Sequence, residues 1–232
     1  MEINSKLNMR IVKKIQSHGA NSSLYIVEDT QLNEIFMLKQ IDKNKIKESS
    51  KYFDEVRNVK DIENKNIVKV NYATYDDDNI YISMPYYKNG SLQDILQERN
   101  LTVREIVKYS LEILSGLYYI HKKNILHCDI KPSNILIDDY GCAVLADFGS
   151  AININHSGVG KLKNVYYKHI APEQCYSSRV DVRVDIYQFG NTLYRMCNGE
   201  EEYNKQVKKS KNMTELKNAI VNGSFPSKMH LC

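Results

Sequence analysis

The sequence predicts an α+β fold of two lobes, with short β-strands and one helix first and mainly helices afterwards. Residues 11–41 contain short apolar runs separated by turn-prone residues, which is the pattern of strands. Beyond Pro85 the apolar residues recur at helical spacing instead. The chain has 232 residues, 42% hydrophobic and 26% charged, which is enough for two lobes that share a cleft.

In the first lobe, residues 1–84, the apolar runs predict several strands. They lie at residues 11–15, 24–27, 35–38, 67–72 and 80–84. A helix is predicted near 49–61, because Phe53, Val56 and Val59 recur at three-residue steps. The acidic segment 76–79 predicts a hairpin turn before the last strand.

The second lobe, residues 90–232, is predicted to follow a hinge at residues 85–89. Ser91 caps a predicted helix that runs through Gln97. Thr102 and Glu105 form a capping-box pattern that opens a longer helix. This helix carries apolar residues at helical spacing, namely Ile106, Tyr109, Ile113, Leu117 and Ile120. A further helix is predicted near residues 213–221.

Composition excludes several classes of protein. No stretch resembles a run of about 18 apolar residues, so no membrane span is expected. Residues 1–6 lack a signal-peptide pattern, and Glu2 stands where N-myristoylation requires glycine. The five widely spaced cysteines favour a reducing compartment, and we expect the cytoplasm. The net charge of +4 is mild, so the basic runs 43–51 and 205–211 are expected to be solvated helix faces, not nucleic-acid sites.

The residues that point to chemistry lie in two segments, 127–134 and 147–149. Phosphoryl transfer needs a metal ion to neutralise phosphates and a carboxylate to orient the attacking hydroxyl. Asp129 could accept the hydroxyl proton, while Asn134 and Asp147 could hold Mg²⁺ through oxygen atoms. A single acidic residue here would be interpreted as part of a solvated loop. The complete set, in this order and spacing, predicts a phosphoryl-transfer site.

These motifs resemble those of the protein kinase family over nearly the whole chain. Besides the two segments above, Phe36-Met37-Leu38-Lys39 is similar to the VAIK strand of that family. Ala171-Pro172-Glu173 resembles its APE motif, and residues 185–190 resemble the start of its central helix, where Asp185 would bury a carboxylate against the catalytic-loop backbone. The resemblance implies one bilobal kinase domain with a small antiparallel sheet and a C-terminal lobe that lacks the last helices.

The same resemblance implies that the chain uses ATP and Mg²⁺. Lys39 would contact the α- and β-phosphates, and Glu55, eleven residues before Asn66, would be its ion-pair partner. Lys131, two residues after Asp129, is typical of kinases that phosphorylate serine or threonine of a protein substrate. As isolated residues, Lys39 and Glu55 would be assigned to the surface, and only their order in the chain supports these roles.

The resemblance also assigns the nucleotide-binding residues. The glycine-rich phosphate loop corresponds to Ser17, Gly19 and Ser22, so two of the three family glycines are serine here. The backbone of Pro85 and Tyr87 would hydrogen-bond adenine. The base would lie among apolar side chains, with Met84 as the gatekeeper and Leu24, Met37 and Leu136 on its two faces. Val59, Val70, His127 and Phe148 would form a packed column, although each could equally be plain core.

The sequence departs from the family in three further places. Cys128 replaces the arginine that many kinases use to bind a phosphorylated activation loop. No threonine lies between Asp147 and Glu173, so the residue that usually steadies Asp129 is missing. The chain ends at Cys232 without the arginine that usually pairs with Glu173, and we expect a partner protein to cover the short C-terminal lobe.

Two other functions fit parts of the sequence. A pseudokinase would keep the fold as a binding module, and the altered phosphate loop favours it. Retention of all five residues of the catalytic set favours the enzyme; they are Lys39, Glu55, Asp129, Asn134 and Asp147. A small-molecule kinase of the aminoglycoside-phosphotransferase type shares the His-x-Asp loop, but Lys131 and the segment 171–173 argue against it.

Overall fold

The computed structural model describes residues 8–15, 22–46, 53–162, 170–210 and 212–226. The chain divides into two compact units. The first comprises Met1–Ile62 and Val68–Tyr87, and the second comprises Glu63–Ile67 and Lys88–Cys232. The first unit holds the large sheet and the second is mainly helical, which confirms the predicted α+β class.

The first unit is built on a five-stranded antiparallel sheet with the strand order β1-β2-β3-β5-β4. The strands are β1 (Met9–Ile15), β2 (Ser22–Asp29), β3 (Glu34–Asp42), β4 (Tyr72–Tyr75) and β5 (Asn79–Pro85). The turn between β4 and β5 forms as predicted, because Asp76 Oδ1 accepts hydrogen bonds from the backbone N–H groups of Asp78 (2.9 Å) and Asn79 (2.7 Å). This Asx-type turn fixes the register of the hairpin.

The strand predicted at residues 67–72 is wrong. Ile67 makes an isolated parallel bridge to Leu145, and the strand β4 begins only at Tyr72. The preceding Asn66 belongs to the second unit. Its Nδ2 donates to Ala143 O (2.9 Å) and its carbonyl accepts from Leu145 N–H (2.8 Å). Polar groups at the start of this apolar segment are therefore hydrogen-bonded to distant residues, and the segment does not form a longer strand.

The α-helix that the structure describes in the first unit is α1 (Asp54–Val59). It lies within the range predicted at residues 49–61, of which residues 49–52 fall outside the described part. Asp54 and Glu55 occupy its first turn and Arg57 its last. This arrangement complements the helix dipole, which favours acidic groups at the N-terminus and basic groups at the C-terminus.

The second unit contains five of the described helices. They are α2 (Leu92–Glu98), α3 (Val103–Lys122), α4 (Arg183–Asn198), α5 (Glu200–Lys209) and α6 (Met213–Val221). The predicted starts of α2 and α3 are confirmed, because Ser91 with Asp94 and Thr102 with Glu105 form complete capping boxes. Among the described residues, no helix is long and apolar enough to span a membrane.

Short two-stranded ladders connect these helices. They pair β6 (Ile125–Leu126) with β9 (Ile152–Asn153), β7 (Ile135–Ile137) with β8 (Ala143–Leu145), and β10 (Gly160–Lys161) with β11 (Arg179–Val180). The β7–β8 hairpin packs against α3 at Gly116. A Cβ atom at Gly116 would lie 2.8 Å from Leu145 Cδ1 and 3.0 Å from Asn66 O, so only glycine permits this close approach.

Candidate active site

In the first unit, Lys39 and Glu55 form the ion pair that the sequence suggested. Lys39 Nζ lies 2.8 Å from both carboxylate oxygens of Glu55, with side chains 9% and 13% exposed. Strand β3 positions the lysine and helix α1 positions the glutamate. Because the pair is nearly buried, the carboxylate holds the ammonium group in one place as a fixed cation.

The strand register gathers the candidate nucleotide residues of the first unit on one face of the sheet. Leu24 lies opposite Lys39 on β2, and Met84 lies opposite Met37 on β5. Since Met37 and Lys39 are two residues apart on β3, all four side chains point to the same face. The lysine therefore lies beside an apolar surface, which suits a ligand with a flat apolar part and a charged part.

The other candidate nucleotide residues lie at the ends of these strands or outside the described chain. Ser22 is the first residue of β2 and Pro85 is the last residue of β5. Tyr87 is the last residue of the first unit. Ser17 and Gly19 fall outside the described residues.

In the second unit, the β7–β8 hairpin explains how Asn134 and Asp147, thirteen residues apart in sequence, come to lie near one another. Ile135 pairs with Leu145 in the ladder, and Ala146 N–H donates to Asn134 O (2.9 Å). Asn134 thus lies at the open end of the hairpin, next to the residue that precedes Asp147. Leu136 lies in the middle of β7, where it bridges to Ser91.

Asp129 is 4% exposed. Among the described residues, its carboxylate is held through one of its two oxygens, Oδ2. Lys131 Nζ donates to Asp129 Oδ2 (2.7 Å), and Asn134 Nδ2 donates to the same oxygen (2.9 Å) and to Asp129 O (2.9 Å). The other carboxylate oxygen, Oδ1, is buried and has no hydrogen-bond partner within the described chain. A buried acceptor is costly to leave unsatisfied, so this oxygen is suited to accept a hydrogen bond from a bound hydroxyl.

Two residues at the site adopt the left-handed backbone conformation, which is rare for residues other than Gly, Asn and Asp. They are Cys128, with φ 64°, and Asp147, with φ 61°. Strained backbone of this kind costs about 1–3 kcal/mol and persists where the surroundings hold it. The hydrogen bonds around Cys128 show what holds its backbone in this conformation.

Helix α4 holds the loop that carries Asp129. Asp185, which is fully buried, accepts hydrogen bonds from the backbone N–H of His127 (2.9 Å) and of Cys128 (2.7 Å). Gln188 donates to Cys128 O (3.0 Å) and accepts from Ile130 N–H (2.9 Å). The role suggested for Asp185 is therefore present, and Gln188 is a second clamp that the sequence analysis missed.

Around this loop His127 and Cys128 are packed away from solvent. The ring centroids of His127 and Phe148 lie 4.6 Å apart, and His127 Nε2 lies 3.0 Å from Ala146 O. Burial, with smaller contributions from Asp185 and Asp129, raises the pKa of the Cys128 thiol well above its usual range. Cys128 therefore stays a neutral thiol at neutral pH and offers no cation.

The candidate metal ligands, Asn134 and Asp147, offer oxygen atoms, which suit Mg²⁺ and not a softer metal ion. Mg²⁺ is usually held by one or two side-chain oxygen ligands together with substrate phosphates. Asn134 and Asp147 supply such oxygens, and Nδ2 of Asn134 makes the donations to Asp129, which leaves Oδ1 for a cation. Within the described ranges, no cluster of three or more His, Cys, Asp or Glu side chains could hold a metal by itself.

Glu173 stands out among the residues that the sequence analysis left uncertain. It lies in a 3-10 helix, Pro172–Cys175, and its Oε1 is buried with no hydrogen-bond partner in the described residues. It lines an open cleft of about 600 Å³ together with Lys161 and Arg179. Lys163, Tyr166, Tyr167 and Lys168 fall outside the described residues.

Comparison with known families gives one match over most of the chain. The model described as protein kinase domain matches residues 11–230. The match includes the strand of Lys39, the loop of Asp129 and the helix of Asp185.

Individual relatives are about equally distant. Serine/threonine-protein kinase CLA4 of Candida albicans is 30% identical over 199 residues, which cover 84% of this chain and 20% of the relative. A probable serine/threonine-protein kinase of Clostridium acetobutylicum is 31% identical over 211 residues, covering 88% and 32%. The 3-phosphoinositide-dependent protein kinase B of Dictyostelium discoideum is 33% identical over 191 residues, covering 78% and 21%. The chain thus spans between a fifth and a third of the length of these relatives.

Proposed function

Since this chain belongs to the protein kinase family, we propose that it transfers the γ-phosphate of Mg-ATP to serine or threonine of a protein substrate. The observation that carries the proposal is the environment of Asp129. One carboxylate oxygen is held by Lys131 and Asn134, and the other is buried without a partner among the described residues. A general base needs a carboxylate oxygen that the protein's own donors leave accessible to the substrate hydroxyl, and this arrangement of Asp129 supports that role.

In this proposal Asp129 orients the acceptor hydroxyl. The substrate O–H donates to Asp129 Oδ1. As the substrate oxygen bonds to the γ-phosphorus of ATP, the bond from that phosphorus to ADP breaks, ADP leaves, and the hydroxyl proton passes to the Asp129 carboxylate. Lys131, already 2.7 Å from Oδ2, keeps the carboxylate in place. Its ammonium group also offers a cation to the transferred phosphoryl group, as the resemblance to Ser/Thr kinases implies.

Asn134 and Asp147 would hold Mg²⁺, which neutralises charge on the phosphates. The side chain of Asn134 is oriented for this by its donations to Asp129. Asp147 adopts a left-handed backbone conformation, with φ 61°. The two residues would therefore share one task from adjoining ends of the β7–β8 hairpin.

Lys39 would bind the α- and β-phosphates, with Glu55 fixing its position. Leu24, Met37 and Met84, on the same sheet face, would contact adenine, as would Leu136. The backbone of Pro85 and Tyr87 would hydrogen-bond the base. The phosphate loop with Ser17, Gly19 and Ser22 would approach the phosphates less freely than one with three glycines.

The second candidate is a pseudokinase, and the serine-substituted phosphate loop favours it. Against it stand the intact Lys39–Glu55 pair and the positioned Asp129.

We also infer a reducing, cytoplasmic setting, which fits the unpaired thiols of the described cysteines. A protein partner in addition to the substrate remains part of the proposal.

Mass spectrometry of the chain and a mixed-protein substrate after incubation with Mg-ATP tests the reaction type. We expect phosphoserine or phosphothreonine in the wild-type reaction, and none with Asp129→Asn as the matched control. Phosphotyrosine alone would contradict the assignment drawn from Lys131. Phosphate appearing equally with the control variant would reject Asp129 as the base.

A further inference from the structure

The outward face of α3 carries a line of large apolar side chains. Val103, Val107, Leu111 and Tyr118 are 72%, 52%, 64% and 61% exposed. Leu114, within the same line, is partly buried. The opposite face of α3 already packs into the core, so this helix is apolar on two sides. A contiguous apolar line differs from the single exposed hydrophobic residues that are normal on protein surfaces.

The spacing of this line is that of a coiled-coil seam. From Val107 to Tyr118 the apolar residues follow at steps of four, three and four. This is the alternation of a and d positions in a heptad repeat, whose side chains interlock with those of a second helix. At a rise of 1.5 Å per residue, the line from Val103 to Tyr118 is about 22 Å long. It therefore matches the apolar stripe of a helix of similar length.

One edge of the seam is basic. With Val107 at a d position, the e positions are Lys108, Ser115 and Lys122, all exposed, and the exposed Arg104 occupies the a position before Val107. Lys122 Nζ lies 4.7 Å from the centroid of the Tyr118 ring, so its charge lies at the seam itself. In coiled coils the charges at these positions select the partner.

The acidic residues of α3 leave this edge positive. Glu105 is engaged by Arg99 and by the capping box. Glu112 accepts a hydrogen bond from Ala143 N–H (2.8 Å), and its Oε1 lies 3.7 Å from Lys108 Nζ. Lys108 Nζ also donates to Gly141 O, so Lys122 and Arg104 supply most of the positive charge on this side of the helix.

We propose that the face of α3 from Val103 to Lys122 docks an amphipathic helix of a partner protein, with aspartate or glutamate beside its apolar stripe. A second copy of this chain fits less well. In an antiparallel pair of α3 helices, the e positions face each other and the lysines repel. In a parallel pair they would have to face the g positions, but Leu117 is buried in the core and Ser110 is half-buried and uncharged, so neither offers the lysines a partner.

The test uses two labelled synthetic helices of about three heptads, with Leu at a and d and either Glu or Lys at e and g. Fluorescence anisotropy with the full chain should show at least tenfold tighter binding of the Glu peptide. Val107→Ser combined with Leu111→Ser should weaken that binding at least tenfold. Tyr176→Ser removes a side chain that is 74% exposed but lies outside α3, and should leave binding unchanged.

Ser115 offers a matched pair of variants at an exposed e position. Ser115→Lys should strengthen binding of the Glu peptide and Ser115→Glu should weaken it, each roughly two-fold. All variants should keep the wild-type melting temperature, because the substituted side chains are exposed or, at Val107, half-exposed.

Three outcomes would overturn the proposal. The first is equal binding of both peptides, or no binding of either. The second is self-association in sedimentation that the Val107→Ser, Leu111→Ser variant abolishes, which would assign the face to a second copy. The third is flotation with phosphatidylserine-containing vesicles that the same variant abolishes, which would assign it to a membrane.

Discussion

At the scale of single residues, Cys128 changes how the site can be regulated. It is 5% exposed, and burial raises the pKa of its thiol, so it carries no charge at neutral pH. A phosphate on the following segment would form charge-assisted hydrogen bonds with an arginine at this position, but a neutral thiol offers none. Regulation by a phosphate held at residue 128 is therefore not expected.

We accordingly predict that activity does not depend on phosphorylation of Ser157 or Ser150. Ser157 is exposed and Ser150 ends the 3-10 helix that follows Asp147. Ser157→Ala and Ser150→Ala should both keep the wild-type rate in a peptide phosphorylation assay. Loss of activity on phosphatase treatment, reproduced by either variant, would show that the segment is a switch after all.

A second residue-scale prediction concerns the Lys39–Glu55 pair. Glu55→Gln removes the charge of Glu55 while keeping its shape, next to a lysine that is 7% exposed. The expected cost is up to about 3 kcal/mol in urea unfolding, together with a large loss of activity.

Arg57→Gln is the matched control on the same helix. The Arg57–Asp54 pair is exposed, with side chains 54% and 44% accessible, so its loss should cost under about 1 kcal/mol. Equal effects of Glu55→Gln and Arg57→Gln would contradict the importance of the buried pair.

At the scale of elements, the N-terminus of α3 predicts a pH dependence. Arg99, followed by Thr102, lowers the pKa of the Glu105 carboxyl from 4.5 to about 2. A carboxyl with a lowered folded-state pKa stabilises the fold above its unfolded-state pKa, and this contribution is lost as the pH falls towards about 2.

Glu105→Gln keeps the capping geometry but removes the charge. We expect it to lower the free energy of unfolding at pH 7 by about 0.5–1 kcal/mol, a small value because the Glu105 side chain is partly exposed and solvent screens its charge. In urea titrations the difference from wild type should shrink between pH 5 and pH 3. A difference that is constant with pH would show that the ionised carboxylate contributes nothing.

Helix α4 supports the loop of Asp129 through Gln188 and Asp185. Gln188→Met keeps the volume but leaves Cys128 O and Ile130 N–H without their partner. Each unsatisfied buried group costs about 1–3 kcal/mol, so stability should fall, and kcat should fall because Asp129 is displaced. Arg183→Met, on the same helix but with a side chain 80% exposed, is the control. An unchanged kcat in Gln188→Met would mean that Gln188 does not position the loop of Asp129.

The same elements show how far the sequence can predict this structure. The starts of α2 and α3 could be predicted because Ser91 and Thr102 act on residues three positions ahead. The strand at residues 67–72 could not, because Asn66 is hydrogen-bonded to residues some eighty positions later. Gln188 was missed for a similar reason, since its partners are distant backbone groups that leave no local pattern.

At the scale of the whole molecule, the proposed chemistry is divided between the two units. Lys39 and Glu55 lie in the first unit, and Asp129, Asn134 and Asp147 lie in the second. The sequence proposes all five for one reaction, because the order of motifs along a chain can be read without knowing which residues lie close together. The exposed face of α3 was not found, since helical periodicity was used to identify only the core-facing residues of this helix.

The most direct test of the central claim is the rate of phosphate transfer by wild type and Asp129→Asn at saturating Mg-ATP, with the nucleotide-induced rise in melting temperature measured on the same samples. We expect Asp129→Asn to lose about 10²-fold or more in rate, since a general base contributes that much, while keeping the melting shift. Equal rates for the two proteins, or no melting shift with wild type, would contradict the account of this chain as an active kinase.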